Sequence, residues 1–130
     1  MKLLLDTHVA LWAARDQTLL PPDIIELIRD GGNEAFVSVA SIWEAAIKNA
    51  LTRRTAIKIS AARLRDVCLG TGFSLLAIES AHAEEVEALP LLHHDPFDRL
   101  IIAQARVEKM SLVTKDTMVA SYGGDIVSWH

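Results

Sequence analysis

The sequence predicts an α/β domain, a central, mostly parallel sheet with helices covering both faces. Three observations carry that prediction. Short β-branched or leucine-rich stretches alternate with amphipathic segments of helical period. Capping residues, prolines and glycines mark the junctions between them. No linker, low-complexity tract or internal repeat interrupts the 130 residues, a length that suits one domain over residues 1–130.

Taken in order, Lys2 to Leu5 is the first strand and ends at Asp6. Thr7 is placed to cap a helix through Trp12, and Pro21-Pro22-Asp23 opens another that closes at Gly31-Gly32. Ala35 to Ser38 is a short buried strand. Ser38 then caps a helix to about Leu51, with Ile42, Trp43, Ala46, Ile47 and Ala50 as its apolar stripe. A helix from about Ser60 to Leu69 is ended by Gly70 and Gly72. Ser74 to Ile78 is the third strand, and Ser80 to Leu89 a helix stopped by Pro90. The stretch His94-Asp95-Pro96-Phe97-Asp98 starts a helix that continues to about Lys109. Ser111 to Thr114 is the fourth strand, Asp116 to Ser121 a short helix, and Asp125 to Ser128 the last strand.

Bulk properties narrow the function. Hydrophobic residues make up 51% of the chain, and Gly and Pro are sparse, as in a globular domain with its own core. Cys68, the single cysteine, lies in an apolar-periodic stretch and reads as a packing thiol, in keeping with a reducing, cytoplasmic setting. The opening apolar run stops at Asp6 after three leucines, too short for a secretory signal, and no stretch is long enough to span a membrane. A net charge of −4 argues mildly against a nucleic-acid partner, but the charges are segregated. Ala45 to Arg65 holds six bases (Lys48, Arg53, Arg54, Lys58, Arg63, Arg65) and no acid, whereas Glu79 to Asp98 holds six acids and neither Lys nor Arg. That division gives either a basic rim beside an acidic pocket or two solvated helix faces of opposite sign.

The acids carry the chemistry. Asp6 directly follows the first strand, and Asp116 follows the fourth after one residue, so both fall at the edge where a parallel sheet keeps its ligand crevice. Glu44 sits on the second turn of the helix leaving Ser38, and Asp98 in the first turn of the helix opened by Pro96. Carboxylates crowded without bases repel and take up protons unless a hard cation holds them ionised. Magnesium suits such a donor set, and manganese serves as well. Each acid also has a structural reading. Asp6 and Asp116 can be helix caps, Glu44 can pair with Lys48 one turn on, and Asp98 can complete a capping box begun by Asp95. Asp95 itself, before Pro96, is assigned to capping, worth about 1 kcal/mol.

Four segments then make the chain recognisable: Leu4-Leu5-Asp6-Thr7-His8, Ser38 through Glu44, His94-Asp95-Pro96-Phe97-Asp98-Arg99-Leu100-Ile101-Ile102-Ala103-Gln104-Ala105, and Leu112-Val113-Thr114-Lys115-Asp116. Over essentially its whole length the chain resembles the PIN-domain family, and within it the VapC-like toxins of bacterial toxin–antitoxin pairs. The resemblance implies a three-layer α/β/α fold and metal-dependent endoribonuclease activity on RNA. It also implies a homodimer and a cognate antitoxin whose tail occludes the site. Asp6, Glu44, Asp98 and Asp116 match the family's acidic metal positions, and Thr7 and Thr114 match hydroxyl positions beside them, where capping or strand polarity is the other reading.

On that resemblance Asp6, Asp98 and Asp116 ligate Mg2+ or Mn2+ and Glu44 completes the site or orients the attacking water, leaving a 5′-phosphate and a 3′-hydroxyl. One ion, or two roughly 3.5–4 Å apart, suffices. Arg99 is a candidate for the scissile phosphate or for a surface ion pair, and the bases from Lys48 to Arg65 for the RNA backbone. His93 and His94 are expected in an exposed loop, His8 near the pocket, and Trp12, Trp43 and Trp129 in core or dimer contacts. No nucleotide-binding glycine motif is present. Two rival functions remain. A phosphotransfer protein of the receiver or haloacid-dehalogenase type needs a further acid that Asp6-Thr7-His8 lacks; a non-catalytic PIN-like scaffold is expected to lack some of the four acids.

Overall fold

The computed structural model describes residues 1–51 and 58–129. Its centre is a five-stranded sheet of β1 (Lys2–Leu5), β2 (Glu34–Ser38), β3 (Ser74–Leu76), β4 (Ser111–Thr114) and β5 (Ile126–Ser128), in the order β3-β2-β1-β4-β5. Every neighbouring pair is parallel, so the expected mostly parallel sheet is wholly parallel. β1 is the middle strand, with Leu5 opposite Val37 on one side and Val113 on the other.

Alternation along the strands divides the core in two. Leu3, Leu5, Val37 and Val113 face one apolar cluster, which α1 (Thr7–Arg15), α2 (Pro22–Arg29) and α4 (Ala61–Thr71) complete with Val9, Ile24 and Leu64. Leu4 and Leu112 face the other, closed by α6 (Pro96–Glu108) and α7 (Thr117–Ala120) through Ile101, Ile102 and Val119, with Val86 of α5 (Ser80–Val86) packed against it. The helix α3 (Val39–Leu51) starts at the carboxyl end of β2 and serves both clusters, Ala45 one and Ala40 the other. These are the three layers expected.

Helix ends differ from the sequence reading for local reasons. Asp6, not Thr7, caps α1: its Oδ1 accepts from the Val9 N–H at 2.9 Å, which leaves the Thr7 hydroxyl for other partners. The helix runs three residues past Trp12, burying Ala13, and Asp16 then turns to cap a 3-10 turn at Gln17–Leu19. Gly70 stays helical, and Gly72, at φ +100°, supplies the left-handed residue that ends α4. At the other boundaries α5 stops at Val86 rather than Leu89, and β3 at Leu76 rather than Ile78. Cys68 is buried, and burial pushes its thiol up to about 11, as befits a packing residue. None of the described helices is long and apolar enough to cross a membrane.

A buried polar seam fastens α6 to the sheet. Gln104, fully buried, accepts from the Ser38 hydroxyl at 2.5 Å and donates to the Ala77 carbonyl at 3.3 Å. Beside it the His82 ring accepts the Glu79 N–H through Nδ1 and meets Glu108 through Nε2 at 2.8 Å. Gln104→Ala strands the Ser38 hydroxyl and the Ala77 carbonyl, so it should destabilise the fold by about 1–3 kcal/mol for each group left unpaired. Urea unfolding should show a lower midpoint at an unchanged slope; an unmoved midpoint would mean that water satisfies the seam.

Candidate functional site

Strand order fixes where a cleft can form. From β1 the chain lays down β2 and β3 on one side, then crosses back to place β4 and β5 on the other. The helices that follow β1 and β4, α1 and α7, therefore part to opposite faces and leave a crevice, the place where open α/β sheets bind ligands. Asp6 follows β1 and Asp116 follows β4 after Lys115, so both stand at that opening. Glu44 reaches it from α3 and Asp98 from the first turn of α6. All four line one cleft of about 420 Å³, together with Thr7, His8, Trp12, Lys48, His93, Asp95 and Lys115.

Each acid is held differently. Buried Asp6 gives one oxygen to the Val9 N–H and the other to the Thr114 hydroxyl, across the β1–β4 pairing. Burial raises its pKa above the ordinary carboxylate value despite those bonds and nearby His8, and Asp116 adds to the rise. Glu44 is only 3% exposed. Its Oε1 accepts from the Thr7 hydroxyl at 2.7 Å, which also bonds Ser41, and its Oε2 meets Lys48 Nζ at 2.5 Å. The Glu44–Lys48 pair expected as an exposed ion pair is thus present but built into the cleft. Burial works against the Lys48 charge, yet the bond and charge of Glu44, with Asp95 and Asp98, hold its pKa above the usual value.

Asp98 is half-buried, and burial pushes it up to about 6, with Asp95 and Glu44 adding and His93 opposing. Its Oδ2 lies 2.7 Å from His93 Nε2. Asp95 caps α6 as expected, accepting from the Phe97 and Asp98 N–H groups, while the Asp98 carboxylate turns to His93. Exposed Asp116 caps α7 through Oδ1 and donates its own N–H to the Thr114 hydroxyl.

Among the described residues the tightest set of possible metal donors is His93, Asp98 and Asp116, whose ligand atoms lie within 4.8 Å of one another. Asp6 and Glu44 border this trio in the same cleft. Hard carboxylate oxygens, two of them on groups that burial pushes toward protonation, fit a divalent cation that would hold them ionised.

Three sequence expectations change. His93 is not an exposed loop residue: its side chain is 19% exposed and turned into the cleft, whereas His94 is exposed. The acids do not stand without bases, because Lys48 and Lys115 share the cleft. Arg99 does not line it and makes no ion pair among the described residues; it donates to the Tyr122 hydroxyl and to the carbonyls of Val86 and Pro90. Trp43 is half exposed, packed edge-on against Phe97 with ring centroids 4.9 Å apart, while Trp12 and Trp129 pack on the core. Of the basic stretch, Lys48 reaches the cleft, Arg65 is taken by Asp66 at 3.0 Å, and Arg53 and Arg54 lie outside the described residues.

Comparison with known proteins bears on the fold and the family. The PIN domain family model matches residues 3–124. No curated protein matches the chain. Among solved structures, VapBC2 from Rickettsia felis bound to a promoter DNA fragment has a chain similar over 100% of both lengths, at 14% identity and a TM-score of 0.70. DNA-bound VapBC from Salmonella typhimurium gives 16% identity and 0.69, over 100% of this chain and 99% of that one. A toxin–antitoxin complex from Klebsiella pneumoniae gives 20% and 0.61, over 95% and 94%. At these identities the likeness is one of fold.

The raised Asp98 value sets a pH dependence of stability. Between the ordinary 3.8 and about 6, the folded chain binds more protons at this position than the unfolded chain. Stability of the metal-free protein from this group therefore falls as pH rises through that window and levels off above it. The difference in unfolding midpoint between wild type and Asp98→Asn should drift against wild type from pH 4 to 6, and Mg2+ should offset the drift. Parallel curves would show that Asp98 titrates as an ordinary surface carboxylate.

Proposed function

The chain belongs to the PIN domain family, and on that footing we propose that it is a metal-dependent endoribonuclease, the toxin of a toxin–antitoxin pair. The observation that carries the reading is the meeting of Asp6, Glu44, Asp98 and Asp116, from four separate elements, in one cleft at the point where strand order reverses. In this reading Asp6, Asp98 and Asp116 hold Mg2+ or Mn2+, and Glu44 completes the site or orients the attacking water. The ion supplies a water of lowered pKa and counter-charge for the leaving oxygen.

The chain's own residues do the positioning. Thr114 holds the second oxygen of Asp6, and Thr7 does the same for Glu44, so two acids keep fixed orientations before substrate arrives. Lys115 gives a phosphate backbone a cationic contact at the rim of an acidic cleft in which Lys48 is paired with Glu44; the Lys115 ammonium stands 6.0 Å from the Trp12 ring centroid. Cleavage in this arrangement leaves a 5′-phosphate and a 3′-hydroxyl.

Support for a protein partner comes from α3. Val39, Trp43, Ile47 and Leu51, spaced four residues apart, are all exposed on a single helix face. That stripe suits a homodimer contact or a cognate antitoxin, and the similar solved structures include toxin–antitoxin complexes. We place the activity in the cytoplasm and assign it to a single domain.

Asp6→Asn tests the reading cleanly, because asparagine caps α1 about as well as aspartate. Cleavage of RNA by the purified variant should fall by at least about 100-fold, beyond the usual cost of losing an outer-shell partner. Its circular dichroism should match wild type. Chelation should abolish wild-type cleavage, and Mg2+ or Mn2+ should restore it. The wild-type chain expressed alone should arrest growth, and a short neighbouring reading frame should relieve the arrest. Metal-dependent cleavage of no RNA in a varied set would favour the non-catalytic scaffold.

A further inference from the structure

Of the possible donors that line the cleft outside the acidic quartet, His93 is the one gathered tightly with two of the four acids. His93 Nε2 stands 2.7 Å from Asp98 Oδ2, and the two side chains form a compact donor trio with Asp116. Two donors at right angles on one octahedral ion, with bonds of about 2.1 Å, lie roughly 3.0 Å apart. The two atoms are already at about that separation, so a modest turn of the His93 ring, with its proton on Nδ1, would let both meet one ion.

The loop that delivers this histidine is fastened rather than loose. The His93 N–H donates to the Tyr122 hydroxyl at 2.9 Å, and Arg99 donates to the same oxygen at 3.1 Å. Arg99 also clasps the carbonyls of Val86 at 3.1 Å and Pro90 at 3.0 Å, so the chain leading into His93 is tied down along its length. Tyr122 is itself buried. A histidine that only filled a surface loop would not need its backbone anchored to a buried tyrosine and an inward-turned arginine.

We propose that His93 Nε2 is a direct ligand of the divalent ion in this cleft, giving a mixed nitrogen and carboxylate donor set that favours Mn2+ or a later transition ion over Mg2+. The preference follows from donor chemistry, since imidazole suits transition ions and carboxylate with water suits magnesium. The proposal rests on the reading of the cleft as a metal site and adds the one ligand that spacing in the sequence does not reveal.

Mn2+ binding followed by calorimetry and pulsed electron paramagnetic resonance separates the two. Wild type should bind Mn2+ and show a 14N hyperfine coupling of the imidazole type. His93→Gln, checked for its fold by circular dichroism, should lose that coupling and bind Mn2+ about tenfold or more weakly, with a smaller change for Mg2+. His8→Gln, the other histidine lining the cleft, should keep the coupling, and it assigns the signal even if His93→Gln does not fold. Bound Mn2+ without nitrogen coupling, or coupling lost in His8→Gln and kept in His93→Gln, overturns the ligand while leaving the metal site standing. No Mn2+ binding by wild type overturns both.

Discussion

The pairing of β1 with β4 is the constraint on which the cleft depends. It is the one place where the chain reverses the direction in which it adds strands, and there the hydroxyl of Thr114 reaches across to Asp6. A parallel sheet buried on both faces can open only at its ends, so polar groups with work to do must collect at the carboxyl edge. Asp6 and Asp116 are there because their strands end there. Glu44 and Asp98 are there because the two helices that carry them, α3 and α6, enter from opposite layers and contact each other across that edge. The two-sided core, with Leu5 on one face and Leu4 on the other, is what keeps the edge rigid.

Capping and function are not rivals in this molecule. Asp6 caps α1 and Asp116 caps α7, each spending one oxygen on backbone N–H groups, yet both line the cleft. A cap carboxylate is held by two or three short bonds at a helix start, which fixes its direction at little entropic cost. The same property makes it a good ligand-bearing group. Asp95 likewise caps α6, with Phe97 and Asp98 both donating to a single oxygen, while its charge bears on Lys48 and Asp98 in the cleft. Structural and functional readings of one aspartate therefore predict the same sequence.

This explains what was legible beforehand. Strands and long helices were, because periodicity and caps are local; Pro96 and Asp95 fixed the start of α6 to the residue. The four acids were legible as members of one cleft because each lies within a few residues of a strand end or helix start. Lys48, four residues after Glu44, was legible as a pair but not as one built into the cleft, since α3 packs there against α6, far away in sequence. His93 was not legible. It lies in a stretch without secondary structure or periodicity, and its position is set by Tyr122, twenty-nine residues further on. Arg99, beside a candidate catalytic acid, invited a role at the phosphate; adjacent residues on a helix do not share a face, and it points the other way.

That opposition of neighbours at the start of α6 organises one side of the cleft. Asp98 turns toward the cleft while Arg99 turns back onto the loop that ends at His93, and His93 returns to meet Asp98. One helix turn thus supplies an acid and braces the residue that faces it. The electrostatics follow from the same closure. Asp98 is desolvated by burial at this closure, so its carboxyl is held up at about 6 unless positive charge answers it. Lys48 is committed to Glu44, and the imidazole of His93 alone does not bring Asp98 back to its ordinary value. Buried Asp6 and half-buried Asp98 both call for positive charge, and the donor atoms of His93, Asp98 and Asp116 lie within 4.8 Å of one another beside them. A cation bound in this cleft would answer both acids while finding donor atoms already gathered at Asp98.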